Sequence, residues 1–192
     1  MMIARTHVAF ALCIASCGII SYEAVATAVP HKDMILFFAG IVIGALLPDI
    51  DEPQSRIGKA TPIISHAFKA LFGHRGATHT LLFPLVVGIA LYFVFLALSW
   101  NLAALFGLVL GCYLHIAGDM LTKSGCPIYL PFSKKNMGLL PYTLRFRTGS
   151  VVDKSIGNLC LVLFALYSAH VAGFDLSWLQ HISPEKLLTM LG

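Results

Sequence analysis

Four points along this apolar chain of 192 residues carry side chains of metal-binding type: His7, Asp49 with Asp51, His74 with His79, and His115 with Asp119. His115 and Asp119 stand four apart, so on a helix both leave one face about one turn from each other and can share an ion. Asp49 and Asp51 lie in Leu47-Pro48-Asp49-Ile50-Asp51-Glu52-Pro53, between two prolines that prevent a helix from continuing. His74 and His79 flank Arg75, whose planar fork suits a phosphate or carboxylate oxygen, and Gly76, which lets a turn approach a ligand closely. Imidazole and carboxylate together are zinc donors, and a catalytic zinc site usually keeps one position open for water.

Pooled, these points supply four histidines and three carboxylates, too many for one tetrahedral ion and appropriate for two. Two adjacent metal ions activate water and clamp the attacked group, an arrangement suited to phosphoester hydrolysis. Singly, each group has a plainer reading: an interfacial histidine at His7, a solvated acidic turn at Asp49 and Asp51, a topogenic charge at Arg75. In company at one depth they read as a site. His31, His66, His170 and His181 lack such partners; Glu23 reads as interfacial, and Asp153 as interfacial or as a group supporting the ligands. No GxSxG elbow, Walker loop, HExxH or CxxC pair competes. Of the five cysteines, four lie inside apolar runs and read as small buried hydrophobes.

The elements that must gather these residues are membrane helices. Only 11% of the chain is charged, against about a quarter in a soluble domain, and no stretch is left to build a separate aqueous core. The expected fold is all-α: one integral membrane domain over 1–192, a polytopic bundle of about five spans with interfacial helices and a long ordered loop. The spans run from Val8 to about Val29, Met34 to Leu47, Leu81 to Trp100, Leu102 to Met120, and Ile156 to Phe174. The second is short unless it borrows flanking residues. An interfacial helix is expected over Ile57 to Phe72, weakened by Pro62, and another from Ser183-Pro184-Glu185 through Leu191. The first run also admits a signal-peptide reading, with Ala26-Thr27-Ala28 near a cleavage point, which would discard His7.

Orientation follows from basic residues. Eleven of the 13 Lys and Arg fall at the N-terminus and in the second-to-third and fourth-to-fifth loops; the other side keeps Lys32 and Lys186. The positive-inside rule then puts the N-terminus, both long loops and all four metal-type clusters in the cytoplasm. These basic residues form no stripe with interleaved aromatics, so anionic lipid headgroups are expected as neighbours rather than nucleic acid.

At the same residues the chain resembles the YdjM-type family of membrane-bound, metal-dependent hydrolases. Its members carry an early histidine, LPDID, HRGxTH, and HxxxD followed by TxxG. Here these are His7, Leu47 to Asp51, His74 to His79, His115 to Asp119, then Thr122 and Gly125. The resemblance covers roughly residues 5–132, and 156–192 adds the last span and helix. It implies a hydrolase of the bacterial inner membrane. The order histidine, aspartate, histidine, HxxxD is also similar to that of zinc-dependent phospholipase C, which favours phosphoesters.

The expected activity is therefore hydrolysis of a membrane-lipid phosphoester by two zinc ions at the cytoplasmic face. His7, Asp49, His74, His79, His115 and Asp119 would be ligands, with Asp119 bridging. Asp51 would be a ligand or general base, and Arg75 the clamp for developing negative charge. Two rival readings are a non-catalytic protein with a structural metal site, or small metal transporter, and a zinc amide or peptide hydrolase. A transporter should hold polar groups near the bilayer midplane, whereas these gather at one face.

Overall fold

The computed structural model describes residues 2–20, 29–73 and 76–174. Among them lie seven α-helices and no strand: α1 (Ala4–Ile20), α2 (His31–Gly44), α3 (Arg56–Ala60), α4 (Pro62–Phe72), α5 (Leu82–Ala97), α6 (Leu102–Met120) and α7 (Val151–Val171). Short 3-10 turns occupy Leu47–Asp51, Ala77–His79 and Tyr142–Leu144.

Three helical stretches are long and apolar enough to cross a membrane: His31–Asp51, Leu102–Met120 and Val151–Val171. The second expected span does borrow its flanks, starting at His31 and running on through the 3-10 turn to Asp51. α5 has 16 residues, or roughly 24 Å, short of the ~30 Å hydrocarbon core. Where five spans are expected, the described residues show three helices of crossing length and two shorter apolar ones. α7 begins at Val151 rather than near Ile156, because Ser150 caps it by accepting the Asp153 N–H and so adds a polar first turn. Outward faces of α5 and α7 expose Ile89, Phe93, Leu96, Leu159 and Val162, an anomaly in water but ordinary against lipid.

The expected interfacial helix over Ile57 to Phe72 is two helices. Pro62 lacks an N–H and occupies the first position of α4, where none is needed, so the chain breaks at Thr61. The expected helix from Ser183, like residues 21–28, lies outside the described residues.

The most extensive interface joins α2 to α6, followed by α1 with α7 and α5 with α6. Small residues make the first one possible. Gly40 and Gly44 on α2, and Gly107 and Gly111 on α6, are each four apart. A Cβ at Gly107 would run into the Phe37 carbonyl, and one at Gly44 into the Leu108 carbonyl. Glycines at this spacing let membrane helices approach backbone to backbone, where dispersion contacts drive association. Beside that crossing Ala11, Leu12, Ala15, Ile41 and Ala45 form a buried cluster joined by Leu110 and Leu114.

Beyond α6 the chain is irregular but bonded throughout. Thr122 caps the helix by donating to the Asp119 carbonyl at 2.8 Å. Gly125 then turns in the left-handed region, at φ 62°, which a glycine adopts without strain. Cys126 and Met137 exchange backbone hydrogen bonds of 3.0 and 2.8 Å, folding the loop over the end of α6 against Ile116 and Met120.

Candidate metal centre

The starts of α1, α5 and α7 and the ends of α2 and α6 meet at one end of the bundle, and each brings a chemical group. α1 carries His7 in its first turn. α2 ends at Gly44 and, past its cap Ala45, runs into the turn bearing Asp49 and Asp51. The 3-10 turn before α5 carries Thr78 and His79, and the last turns of α6 carry His115 and Asp119. His7, Asp51, His79, His115 and Asp119 have no exposed surface, and Asp49 keeps 5%. Six of the eight residues expected at the site are thus brought together. His74 and Arg75 lie outside the described residues.

Four donor atoms face one another. His79 Nε2 is 3.7 Å from Asp49 Oδ1 and 3.6 Å from Asp119 Oδ2; His115 Nε2 is 3.6 and 3.9 Å from the same two oxygens. A tetrahedral ion with bonds near 2.1 Å separates its ligands by about 3.4 Å, so these four histidine-to-carboxylate separations frame a slightly wider cage, within which Asp49, His79 and His115 form a trio that could hold an ion. His115 Nε2, Asp49 Oδ1 and Asp119 Oδ2 are buried and make no hydrogen bond. Such atoms are costly without a partner, and a cation among them would satisfy all three. The donor set therefore fits a metal ion, and this buried group could hold one.

The surroundings fix which ring nitrogen faces inward. His115 Nδ1 lies 2.7 Å from the Ala45 carbonyl; it must donate there, which leaves the lone pair on Nε2. The Thr78 hydroxyl donates to Asp51 Oδ2 at 2.7 Å, so its oxygen, 3.0 Å from His79 Nδ1, accepts from that ring. The lone pair of a neutral His79 is thereby turned to Nε2, toward Asp49 and Asp119. Backbone carbonyls and carboxylates behind ligand histidines set tautomer and basicity in this way. Asp51 reaches the cage from behind: its Oδ2 is 3.6 Å from His79 Nδ1, on the far side of the ring from the donor face.

A second trio comprises His7, His115 and Asp119. His7 Nε2 is 3.2 Å from Asp119 Oδ1, and the His7 and His115 rings stack with centroids 3.7 Å apart. Both trios claim His115, whose Nδ1 is committed to Ala45, so His115 can serve only one ion. Asp119 can serve both, since Oδ1 faces His7 and Oδ2 faces His79 and His115.

His79 lies outside the spanning helices. Burial works against its charged form, but the carboxylates of Asp49, Asp51 and Asp119, all within 3.7 Å, outweigh this, and the ring is pushed up to about 9. The carboxylates around it favour positive charge at this point.

Several contributors escaped the sequence reading: the Ala45 carbonyl, the Met2 N–H, which donates to Asp119 Oδ1 at 2.7 Å, and the Thr78 hydroxyl. Backbone groups leave no trace in residue types. Thr78 sits inside the histidine motif and was legible as a hydroxyl beside a ligand. Thr6, next to His7 in the chain, donates to the Asp153 carbonyl at 3.3 Å. Asp153 is completely buried.

The family model described as YdjM inner membrane protein matches residues 1–179. Inner membrane protein YdjM of Escherichia coli (strain K12) is 32% identical over 193 aligned positions, covering 96% of this chain and 86% of that protein. YvsG of Bacillus subtilis (strain 168) is 33% identical over 128 positions, 65% of this chain and 72% of its own length. Inner membrane protein YbcI of E. coli is 37% identical over 89 positions, 46% of this chain and 43% of its own. No solved structure matches. With a matching model along nearly its whole length and the buried histidine and aspartate cluster at the motif positions, the chain belongs to the YdjM family of inner membrane proteins.

Proposed function

We propose that this protein is a membrane-embedded, metal-dependent hydrolase that cleaves a lipid phosphoester at the cytoplasmic face, with two zinc ions as cofactors. The observation that carries the reading is the buried cage of His79, His115, Asp49 and Asp119, which includes atoms with no hydrogen-bond partner of their own. One ion would be held by that cage. The second would be held by His7 and Asp119, with Asp119 shared between the two ions and His74 as a further ligand. Bound divalent ions would supply Lewis acidity and lower the pKa of water.

The chain's own residues do the rest. Thr78 and Ala45 hold the two rings in the required tautomer. Asp51, behind His79, orients that ring and is placed to hold a proton through it. Arg75 would take the charge that develops on the attacked group. Support for a lipid substrate is the apolar cavity of about 520 Å3 beside the site. Leu71, Phe83, Val86 and Leu130 line it, and Ala77 and Thr80 bring its wall next to His79. Basic loops flanking the same end support the cytoplasmic orientation.

Asp119→Asn removes the bridging charge with little change in shape. The expected result is loss of bound zinc from detergent-purified protein and loss of headgroup release from phospholipid. Unchanged zinc and unchanged hydrolysis would overturn the assignment. A structural metal site is the second reading, favoured by the complete burial of His79, His115 and Asp119. It predicts zinc lost and stability lowered in the variant, with no lipid or peptide hydrolysed by the unaltered protein.

A further inference from the structure

Asp153 sits at the start of α7, 34 positions beyond Asp119 in the chain, and has no exposed surface. A buried carboxylate is costly unless it is hydrogen-bonded, and of the two oxygens here Oδ2 takes the bonds while Oδ1 makes none. Its Oδ2 accepts the Gly149 N–H at 2.7 Å and the Ile3 N–H at 3.3 Å, and its own carbonyl accepts the Thr6 hydroxyl at 3.3 Å. The first contact closes the turn before α7; the other two reach across about 150 positions of sequence to the start of the chain. Gly157, one turn further along α7, makes room for that segment, since a Cβ there would stand 2.7 Å from Thr6 Oγ1.

The segment so held is the one that delivers His7. On its opposite side it meets the end of α6: the Met2 N–H donates to Asp119 Oδ1, the atom His7 Nε2 also approaches. Gly118 has no side chain that would press on Met2 Sδ or the His7 ring. Residues 2–7 therefore lie between two anchors, Asp153 on α7 and Asp119 on α6. None of the four cage atoms belongs to this segment.

We propose that Asp153 is a positioning residue for His7, and that it governs the second metal position through the N-terminal segment while leaving the cage of His79, His115, Asp49 and Asp119 intact. The metal part rests on the two-ion reading above; the positioning part does not. The role demands a hydrogen-bond acceptor rather than a charge, so Asp153→Asn should preserve it and Asp153→Ala should not.

Two measurements on the full-length protein in detergent test this. Amide hydrogen exchange of metal-free protein reads the segment directly: Asp153→Ala should speed exchange at Ile3 and His7, the amides with acceptors there, at least tenfold, with Asn within about threefold of the unaltered protein. Protection unchanged in the alanine variant would overturn the positioning role whatever the metal does. Cobalt titration followed by its visible absorption reads the ions. Asp153→Ala should weaken one of two binding steps by about ten- to a hundredfold, the range for groups that orient ligands, and leave the other step and its spectrum unchanged. His7→Ala should reproduce that loss, and the double variant should add nothing to it. Further loss in the double variant, or equal loss of both steps in Asp153→Ala, would overturn the proposal. A single binding step in the unaltered protein, together with the expected exchange result, would overturn the two-ion reading and leave the positioning role standing.

Discussion

Replacing Gly107 by alanine tests whether the α2–α6 crossing is as close as the structure has it. The new methyl would overlap the carbonyl oxygen of Phe37, with the Ile41 N–H close behind. Both obstacles are backbone, so no rotamer change relieves them and the helices must part by about 1 Å, enough to forfeit up to roughly half of the dispersion attraction across the gap. Overpacking costs about 1–3 kcal/mol, and a backbone clash belongs at the upper end, about 3 kcal/mol. Alanine regains about 1 kcal/mol in helix propensity. The net expectation is a loss of about 2 kcal/mol, or roughly 4–8 °C in Tm for a chain of this size. Gly18→Ala in α1 is the matched control: among the described residues nothing lies within 4 Å of its Cβ position, so the propensity gain of up to about 1 kcal/mol stands unopposed. Thermal unfolding followed by circular dichroism, both variants in one detergent, gives the comparison. Equal stability of the two variants would refute the close crossing.

Thr78→Val keeps the shape but deletes the hydroxyl that links Asp51 to His79. It should cost about 1–3 kcal/mol for the buried hydrogen bond and weaken zinc binding about ten- to a hundredfold, read by thermal unfolding and by competition with a chelator. Asn101→Ala removes the N-cap of α6, which accepts the Ala103 N–H at 2.8 Å and donates to Asp33 at 2.6 Å. It should lower stability by about 1 kcal/mol with no change in zinc content, because it lies at the opposite end of α6 from His115. Loss of zinc in that variant would mean that metal content simply follows stability.

The clustered histidines and aspartates were legible because membrane helices make polarity conspicuous. A histidine or carboxylate at the end of an apolar run stands out against lipid-facing residues, and antiparallel passage carries such ends to a common face. That reasoning reached Asp49, His79, His115 and Asp119 from residue type and spacing alone. Helix limits were less legible, since polar cap residues such as Ser150 lengthen a helix past its apolar run. The packing that aligns the ends was missed although its signal was present: Gly40 with Gly44 and Gly107 with Gly111 are pairs of small residues four apart in apolar segments. Asp153 was left between two readings for a different reason. Its partners are the Ile3 and Gly149 N–H groups, and a backbone donor at the far end of a chain has no signature in the sequence.

The glycine crossing and the metal cage are one construction. Gly44 is followed at once by Ala45, whose carbonyl holds His115 Nδ1, and four residues further comes Asp49. On the other helix Gly111 precedes His115 by one turn, and a Cβ there would press on the Ile41 carbonyl and the Ala45 N–H. The distance between the two backbones therefore sets whether the Ala45 carbonyl reaches the ring and where the ring points its other nitrogen. A wider crossing filled by larger apolar residues would hold the helices together in lipid equally well, yet it would lift His115 away from Asp49. The close approach thus answers a need of the site beyond adhesion. Lipid makes this economical, since no hydrophobic force between helices demands large side chains at the contact, and dispersion between bare backbones is sufficient.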